Sequence, residues 1–282
     1  MIFANFETGF LRIFEYMDDF VPGYVGLTAL GSGSGGNAYV LHSPHGNYMV
    51  DAGFSRKELC CRMEKCGIAP ESIRAVIISH EHGDHVKGCR VFCNKFNIPA
   101  YMAGAVADYL DRRNELPENV VEFLPGSGFE LPGVSVMPFS ISHDAKDPVG
   151  FKFMVQESKI ALATDLGCLE KHIIKHLHNA DILVLEANYD LKMLLESDRS
   201  NELKHRIRGR GGHLDNRTAA QCLREVLGPR TRSLLLAHIS SECNNRELLH
   251  SVIEQELAAL ERTDIQWRLL EQDVPDVGCY AQ

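Results

Sequence analysis

The sequence predicts an α/β protein in which two β-sheets stack face to face and helices cover both outer faces. Short apolar runs typical of buried strands recur along the whole chain, for example at 182–185 and 233–237. Helical patterns lie between them and bracket the strand-rich regions at both ends, as a helix-covered sheet sandwich requires. The 282 residues, of which 45% are hydrophobic, are enough for one large domain of this kind.

The first third of the chain alternates strand and helix patterns, beginning near Tyr24. The predicted strands are apolar runs bounded by turn residues, at 25–30, 37–42, 46–51 and 75–79. Ser55 is the predicted N-cap of a helix that runs to about Cys66, because serine readily accepts a hydrogen bond from the first helical turn. A second helix is predicted to start at His85, and a third covers 105–113.

The rest of the chain predicts a strand-rich region followed by alternating helices and strands. A short strand is predicted at 99–102. Further strands at 120–124, 129–131 and 134–141 alternate in the manner of an antiparallel sheet. Strands at 149–156 and 159–163 form a predicted hairpin. The later helices are predicted at 169–177, 216–227 and 245–260, and the last strand at 265–270. Residues 196–212 are polar and poorly periodic.

Composition excludes several classes of protein. The formal net charge of −9 excludes a surface built as a whole for nucleic acid, although a local basic patch remains compatible with it. The nine cysteines are scattered without a Cys-x-x-Cys pair, which predicts reduced thiols used as small core residues. No apolar run approaches the ~20 residues of a membrane span, and the first twenty residues lack the basic start of a signal peptide. A cytoplasmic protein that does not enter a membrane is expected.

One six-residue stretch, His80-Glu81-His82-Gly83-Asp84-His85, carries five side chains that can bind a metal or a proton. It follows the apolar run 75–79 and precedes a helical pattern, so it forms the loop between a strand and a helix. Imidazole suits zinc or iron, and a carboxylate adds charge for a second cation. Because one site rarely takes four ligands from six residues, the spacing predicts two metals side by side.

Further ligand candidates each come at the end of an apolar strand, namely His143, Asp165, Glu186 and His238, with Asn188 close behind Glu186. Strand ends at one edge of a sheet bring residues from distant parts of the chain together. A single strand-end histidine is more often a packing or capping residue. The repeated placement favours His143, Asp165 and His238 as ligands of the same site.

The pattern His80-x-His82-x-Asp84-His85, followed by His143, Asp165 and His238, resembles the metallo-β-lactamase superfamily. The segments 30–37, 51–53, 185–188 and 212–214 resemble one branch of it, the YycJ/WalJ group of bacterial hydrolases, which is related to the RNase Z nucleases. The resemblance implies an αββα metallo-β-lactamase sandwich, with two mixed β-sheets flanked by helices. It also implies a hydrolase domain over 24–282, preceded by an N-terminal extension over 1–23.

The resemblance implies a site with two divalent cations, Zn²⁺ or Mn²⁺ with iron as a further option. The implied ligands are His80, His82 and His143 for the first cation, Asp84, His85 and His238 for the second, and Asp165 as a bridge between them. Two neighbouring cations lower the pKa of a bridging water and clamp the attacking and leaving oxygens of a phosphodiester. Asp84 would also orient the resulting hydroxide as a catalytic residue.

The branch implies exonuclease action on DNA by this hydroxide. The same ligands would also serve a thioester or lactone hydrolase of the glyoxalase II type, and a non-catalytic metal-binding scaffold is a third hypothesis. An open basic groove would favour DNA, whereas a closed cleft would favour a small acyl substrate. A homo-oligomer is compatible with the sequence.

The glycine-serine loop 31–37 supplies three candidate substrate-binding residues, Ser32, Ser34 and Asn37. Its backbone N–H groups could face a phosphate, but a tight turn between strands explains the loop equally well. Glu186 and Asn188, from the strand-end segment 185–188, are two further candidates.

A basic run covers residues 204–210 and carries four cations, Lys204, Arg206, Arg208 and Arg210, of which Lys204 and Arg206 are candidates for contact with substrate phosphates. A solvated face is the alternative explanation of this run. His213, shortly after it, is a candidate catalytic and substrate-binding residue that could protonate a leaving oxygen. A structural hydrogen bond would account for His213 nearly as well.

Overall fold

Two seven-stranded β-sheets form the centre of the protein, as the sequence predicts. The computed structural model describes residues 24–276 and 278–281, so the predicted extension over 1–23 lies outside the described residues. In chain order the strands are β1 (Val25–Gly31), β2 (Ala38–Ser43), β3 (Gly46–Val50), β4 (Ile73–Ile77), β5 (Ala100–Ala103), β6 (Val120–Phe123), β7 (Phe129–Leu131), β8 (Val134–Ser140), β9 (Val149–Val155), β10 (Ser158–Ala163), β11 (Ile182–Glu186), β12 (Ser233–Ala237), β13 (Gln266–Leu269) and β14 (Cys279–Ala281).

The two sheets share one topology. The first has the order β14-β1-β2-β3-β4-β5-β6, and the second has β13-β12-β11-β10-β9-β8-β7. In the first sheet β1, β2 and β3 pair antiparallel, and β3 to β6 then pair parallel. In the second sheet β7 to β10 pair antiparallel, and β10 to β13 then pair parallel. Parallel neighbours align their carboxyl ends, so the loops that follow them gather at one edge.

Helices cover the outer face of each sheet. In chain order they are α1 (Arg56–Lys65), α2 (Gly83–Val86), α3 (Cys89–Phe96), α4 (Gly104–Arg112), α5 (Lys171–Leu177), α6 (Leu191–Glu196), α7 (Asn201–Arg208), α8 (Asn216–Val226) and α9 (Arg246–Ala259). Helices α1, α3 and α4 pack on the first sheet, whereas α5 packs on the second and contacts α8, which in turn contacts α9. The predicted cap of α1 is confirmed, because the Ser55 side chain accepts a hydrogen bond from the Glu58 N–H.

The central strands of the second sheet are apolar throughout because both of their faces are buried. In β11, Ile182 and Val184 belong to the core shared with the first sheet, whereas Leu183 and Leu185 pack in the second core beneath the helices. All four side chains are fully buried. A strand covered on both sides has no polar face, which explains the continuous apolar run in the sequence.

The antiparallel arrangement predicted for 120–141 is wrong in its first part. Strand β6 pairs parallel with β5 in the first sheet, and only β7 and β8 pair antiparallel, in the second sheet. The helix expected from His85 is divided into α2 and α3 near Gly88. A Cβ atom at Gly88 would lie 2.1 Å from the Phe54 carbonyl oxygen, so the chain passes too close to its neighbour for a larger residue.

Three elements were not predicted. Helix α7 lies within the polar segment 196–212, α6 lies mostly before that segment, and β14 follows the strand expected to be the last. All nine cysteines are free, as predicted. Among the described residues, no helix is long and apolar enough to cross a membrane.

Candidate metal centre

The predicted ligands converge where strands of both sheets end. His80 lies three residues after β4, Asp165 lies two residues after β10, and His238 directly follows β12. Asp165 and His238 have positive φ angles of 60° and 53°, and so does Asp51, with 58°, directly after β3. Left-handed backbone is uncommon for residues other than glycine and concentrates at functional sites. The fold thus directs these three side chains toward the same cluster, although the left-handed backbone is less favourable for each of them.

The first group of donor atoms comes from His80, His82 and His143, whose ligand atoms lie within 4.8 Å of one another. Nδ1 of His82 lies 3.2 Å from Nε2 of His143. The other ring nitrogen of His143 faces the Gly212 carbonyl oxygen at 3.2 Å, and Nδ1 of His80 contacts the Ser79 hydroxyl at 3.0 Å. These contacts orient both rings and leave Nε2 of each toward the shared space.

The second group comes from Asp84, His85 and His238, again with ligand atoms within 4.8 Å of one another. Nε2 of His238 lies 3.4 Å and Nε2 of His85 lies 3.5 Å from the same oxygen, Oδ2 of Asp84. Nδ1 of His85 is bonded to Asp51 at 2.8 Å, and Nδ1 of His238 to Glu186 at 2.9 Å. A carboxylate behind an imidazole is a frequent support for a metal-binding histidine, since it fixes the ring and its tautomer.

Asp165 lies between the two groups. Its Oδ2 is 3.2 Å from Nε2 of His85, and its Oδ1 is 3.6 Å from Nε2 of His238 and 3.7 Å from Nε2 of His143. The side chain is only 3% exposed. One carboxylate therefore faces donors of both groups.

The donor set fits divalent cations by an independent observation. Among the described residues, two buried side-chain atoms have no hydrogen-bond partner, Nε2 of His80 and Oδ2 of Asp165. Both belong to the cluster and face its interior. Buried polar atoms almost always have a partner, and a bound cation would supply one for each of these.

The electrostatic field of the cluster also favours cations. Burial opposes the ionisation of Asp165, but His238 and His85 outweigh it and hold the pKa of this carboxyl well below its usual range. Burial likewise opposes the charge on His238, but Asp165 and two hydrogen-bonded carboxylates raise its pKa to about 10. The carboxylates thus attract positive charge to the imidazoles, and a cation would compete with these protons.

Asp51 is a residue of the site that the sequence analysis named only as part of the family segment 51–53, without a role. It is fully buried, accepts hydrogen bonds from the Ser79 N–H and hydroxyl at 2.8 Å each, and holds Nδ1 of His85. Gly53 is needed nearby, because a Cβ there would lie 1.7 Å from the Asp84 carbonyl oxygen. The available signal was the position of Asp51, directly after a buried strand like the ligands themselves.

We expect Asp51→Asn to weaken metal binding by about 10- to 100-fold, the usual cost of losing the support behind a metal-binding histidine. The amide cannot carry the charge that stabilises and orients His85. Competition with a chromogenic chelator would measure the affinity, and Asp198→Asn, an exposed change of the same type, is the control. Affinity equal to that of the unchanged protein would show that Asp51 does not support the site.

Glu186 and His213 form a pair at the border of the cluster. Glu186 Oε1 contacts Nδ1 of His213 at 2.8 Å as well as His238, and Oε2 accepts the N–H groups of Leu166 and Leu214 at 2.8 and 3.0 Å. Glu186 is fully buried, whereas the His213 side chain is 20% exposed. The carboxylate of Glu186 thus has four protein partners, and His213 presents Nε2 as its second ring nitrogen. Ligand atoms of Glu186 and His213 also lie within 4.8 Å of those of Asp165 and His238, so the pair is close enough to the cluster to contribute donors.

The other predicted substrate-binding residues differ in their access to the site. The Ser32 hydroxyl donates to Asn37 and accepts from Tyr39 and from the His238 N–H. The Asn188 amide donates to the His238 carbonyl oxygen at 2.7 Å. These buried groups support the loops that carry the ligands. Ser34, by contrast, is exposed and lines a cavity beside Asp84.

Asn37 reaches the second group directly. Its Nδ2 lies 3.1 Å from Nε2 of His85 and 3.3 Å from Oδ2 of Asp84, and its Oδ1 is held by the N–H of Gly33. Lys204 and Arg206 are engaged within the protein. Lys204 donates to the carbonyl oxygens that end α6, and Arg206 pairs with Asp144, next to His143 in the chain.

Comparison with known proteins places this architecture in a family. A family model described as a beta-lactamase superfamily domain matches residues 46–239. The exodeoxyribonuclease WalJ of Streptococcus pneumoniae is 32% identical over 235 residues, which cover 81% of this chain and 87% of the relative. The exodeoxyribonuclease YycJ of Bacillus anthracis is 28% identical over 233 residues, covering 82% and 88%.

The solved structures agree on the fold. The metallo-β-lactamase fold protein YhfI from Bacillus subtilis superposes with a TM-score of 0.66 at 15% identity, covering 89% of this chain and 98% of YhfI. The two mixed sheets, their flanking helices and the cluster of histidines and aspartates agree with this assignment. The chain therefore belongs to the metallo-β-lactamase superfamily of hydrolases.

Proposed function

We propose that this protein is a metal-dependent nuclease that hydrolyses phosphodiester bonds of DNA, most simply as an exonuclease. The observation that carries the proposal is the match, over more than four fifths of the chain, to two relatives named exodeoxyribonucleases. The donor cluster supports it, because it offers the ligands that a metal-dependent hydrolase needs. Neither the thioester hydrolase nor the metal-binding scaffold is favoured by these comparisons.

We propose two cation positions. The first would use His80, His82 and His143, the second would use Asp84, His85 and His238, and Asp165 would serve both. Two divalent cations held there would lower the pKa of a water and neutralise charge on the phosphate oxygens. Imidazole with carboxylate suits Zn²⁺, and Mn²⁺ is compatible with the same donors.

The residues of the chain would supply the proton transfers. Asp84 is 22% exposed and contacts the histidines through Oδ2, which leaves Oδ1 to accept a hydrogen bond from the attacking water. His213, with Nδ1 held by Glu186, would donate the proton on Nε2 to the leaving oxygen. The attacking water would release its proton to the solvent, and His213 would recover from the solvent the proton that it gives to the leaving oxygen, so the products are a phosphate monoester and an alcohol.

The test is to incubate the purified protein, loaded with Mn²⁺ or Zn²⁺, with end-labelled single- and double-stranded DNA and RNA. We expect stepwise shortening of DNA from one end. Asp84→Asn, purified in the same way, controls for contaminating nuclease and should be inactive. No cleavage of any strand by metal-loaded protein would reject the nuclease, and hydrolysis of a glutathione thioester in its place would support the acyl substrate class.

A further inference from the structure

A cavity opens beside the metal centre on the side of α2 and α3. It has a volume of about 490 Å³ and begins at Asp84 and the exposed Ser34. Its wall continues to Tyr109 and Arg113, at the end of α4. A second cavity of about 390 Å³ shares Tyr109 and Arg113 and extends the groove to Lys146. The two cavities form one path that leads away from the candidate ligands.

Five of the sixteen residues that line the path are cationic. Lys87 and Arg90 line the first cavity, three and six residues after Asp84. Arg112 and Lys146 line the second cavity, and Arg113 lines both. All five residues are exposed. Four carboxylates also line the path: that of Asp84, which belongs to the metal centre, and those of Glu81, Asp108 and Glu115, which leave the five cations in excess. Glu81 accepts the Lys146 N–H, and Glu115 pairs with Arg113 at 3.0 Å. The balance along the path is therefore positive in a chain of net charge −9.

The basic run at 204–210 differs from this groove because several of its cations are already bound to groups of the protein. Lys204 is bonded to two carbonyl oxygens, Arg206 pairs with Asp144, and Arg210 pairs with Glu170 at 2.9 Å. A phosphate contact by these cations would have to displace a protein partner. The groove beside α2 requires no such exchange at Lys87, which stands at its entrance close to the candidate ligand Asp84, although Arg90 would have to give up its hydrogen bond to the Asn114 carbonyl oxygen.

We propose that this groove, rather than the basic run, holds the single strand of nucleic acid that adjoins the scissile phosphate. Lys87 and Arg90 contact its backbone phosphates, and Tyr109 stacks on one of its bases. The inference rests on the proposed nuclease function and adds to it the course of the strand. Single strands are commonly bound in this way, by a positive groove that follows the backbone and an aromatic ring that receives a base. The half-buried Tyr109 lines both cavities and is the aromatic residue that the described path provides.

The test compares Lys87→Gln/Arg90→Gln with the control Lys65→Gln/Lys95→Gln, which removes the same charge from exposed positions that do not line the groove. Fluorescence anisotropy of a labelled oligothymidine measures binding without requiring cleavage. We expect the Lys87 and Arg90 variant to bind the oligonucleotide at least about tenfold more weakly than the unchanged protein at low salt. The slope of log affinity against log salt concentration should fall by about 0.7 for each phosphate that the variant no longer neutralises. Turnover of a small chromogenic phosphodiester should fall much less than DNA binding and DNA cleavage, because that substrate reaches only the metal centre.

Tyr109 provides a separate readout. Tyr109→Leu should weaken binding of the strand by roughly 5- to 150-fold, the range for removal of one stacked base, whereas Tyr109→Phe should bind normally. An unchanged salt slope in the Lys87 and Arg90 variant would overturn the proposal, and so would equal losses on DNA and on the small substrate. Strand binding through the groove without cleavage by the unchanged protein would reject the nuclease and leave the groove assignment in place.

Discussion

Asp165→Ala is expected to lose metal from both positions at once and to reduce DNA cleavage by more than about a hundredfold, since even an outer support costs about 10- to 100-fold. Its two oxygens lie within 3.7 Å of ring nitrogens of His85, His143 and His238, which belong to both donor groups. Without this carboxylate, two cations would lie close together with one negative charge fewer between them. Elemental analysis after gel filtration measures the metal content.

Single-group variants give the contrast. His143→Ala should chiefly lower the occupancy of the first position and His238→Ala that of the second, because His143 belongs to the first group of three and His238 to the second. Asp181→Ala is the control for damage to the fold. Asp181 is also largely buried, but it pairs with Arg230 and precedes β11, at the opposite end of that strand from Glu186. Two full equivalents of metal in Asp165→Ala would refute the bridging assignment.

The convergence of the candidate ligands in one cluster could be predicted from the sequence because each member has a local signal. An apolar run that stops at a histidine or an aspartate predicts a buried strand whose last side chain lies at the sheet edge, as for Asp165 and His238. The role of Asp51 has no such signal beyond its position. Its function depends on a hydrogen bond to His85, 34 residues further along the chain, and on a left-handed backbone conformation. Only the tertiary structure specifies either.

The elements that were missed depend on partners far away in the chain. Strand β14 has three residues and exists through its pairing with β1, which begins more than 240 residues earlier. Helix α7 buries only Ile207, so its apolar period is too weak to recognise, although Ser200 caps it. The pairing of β6 with β5 follows from the crossover through α4, which residue alternation within a strand cannot reveal. Local patterns therefore predict strands better than they predict their neighbours.

His213→Gln is expected to lower kcat for DNA by roughly 10²- to 10⁴-fold, the usual contribution of a general acid, with little change in metal content. Nδ1 of His213 is held by Glu186 at 2.8 Å and lies 3.8 Å from the nearest oxygen of Asp165. The ring thus borders the cluster without being needed in either group of three. Its partial exposure leaves Nε2 accessible to a leaving oxygen.

Two substrates with different leaving groups distinguish whether His213 acts as a general acid or as a metal ligand. Nitrophenolate departs readily without a proton, whereas the alkoxide of a deoxyribose does not, so His213→Gln should lose much less activity on a nitrophenyl phosphodiester than on DNA. A ligand variant such as His143→Ala should lose activity on both substrates alike. Glu186→Gln should combine the two patterns, because its carboxylate holds both His213 and His238. Equal losses of His213→Gln on both substrates, together with reduced metal content, would make His213 a metal ligand instead.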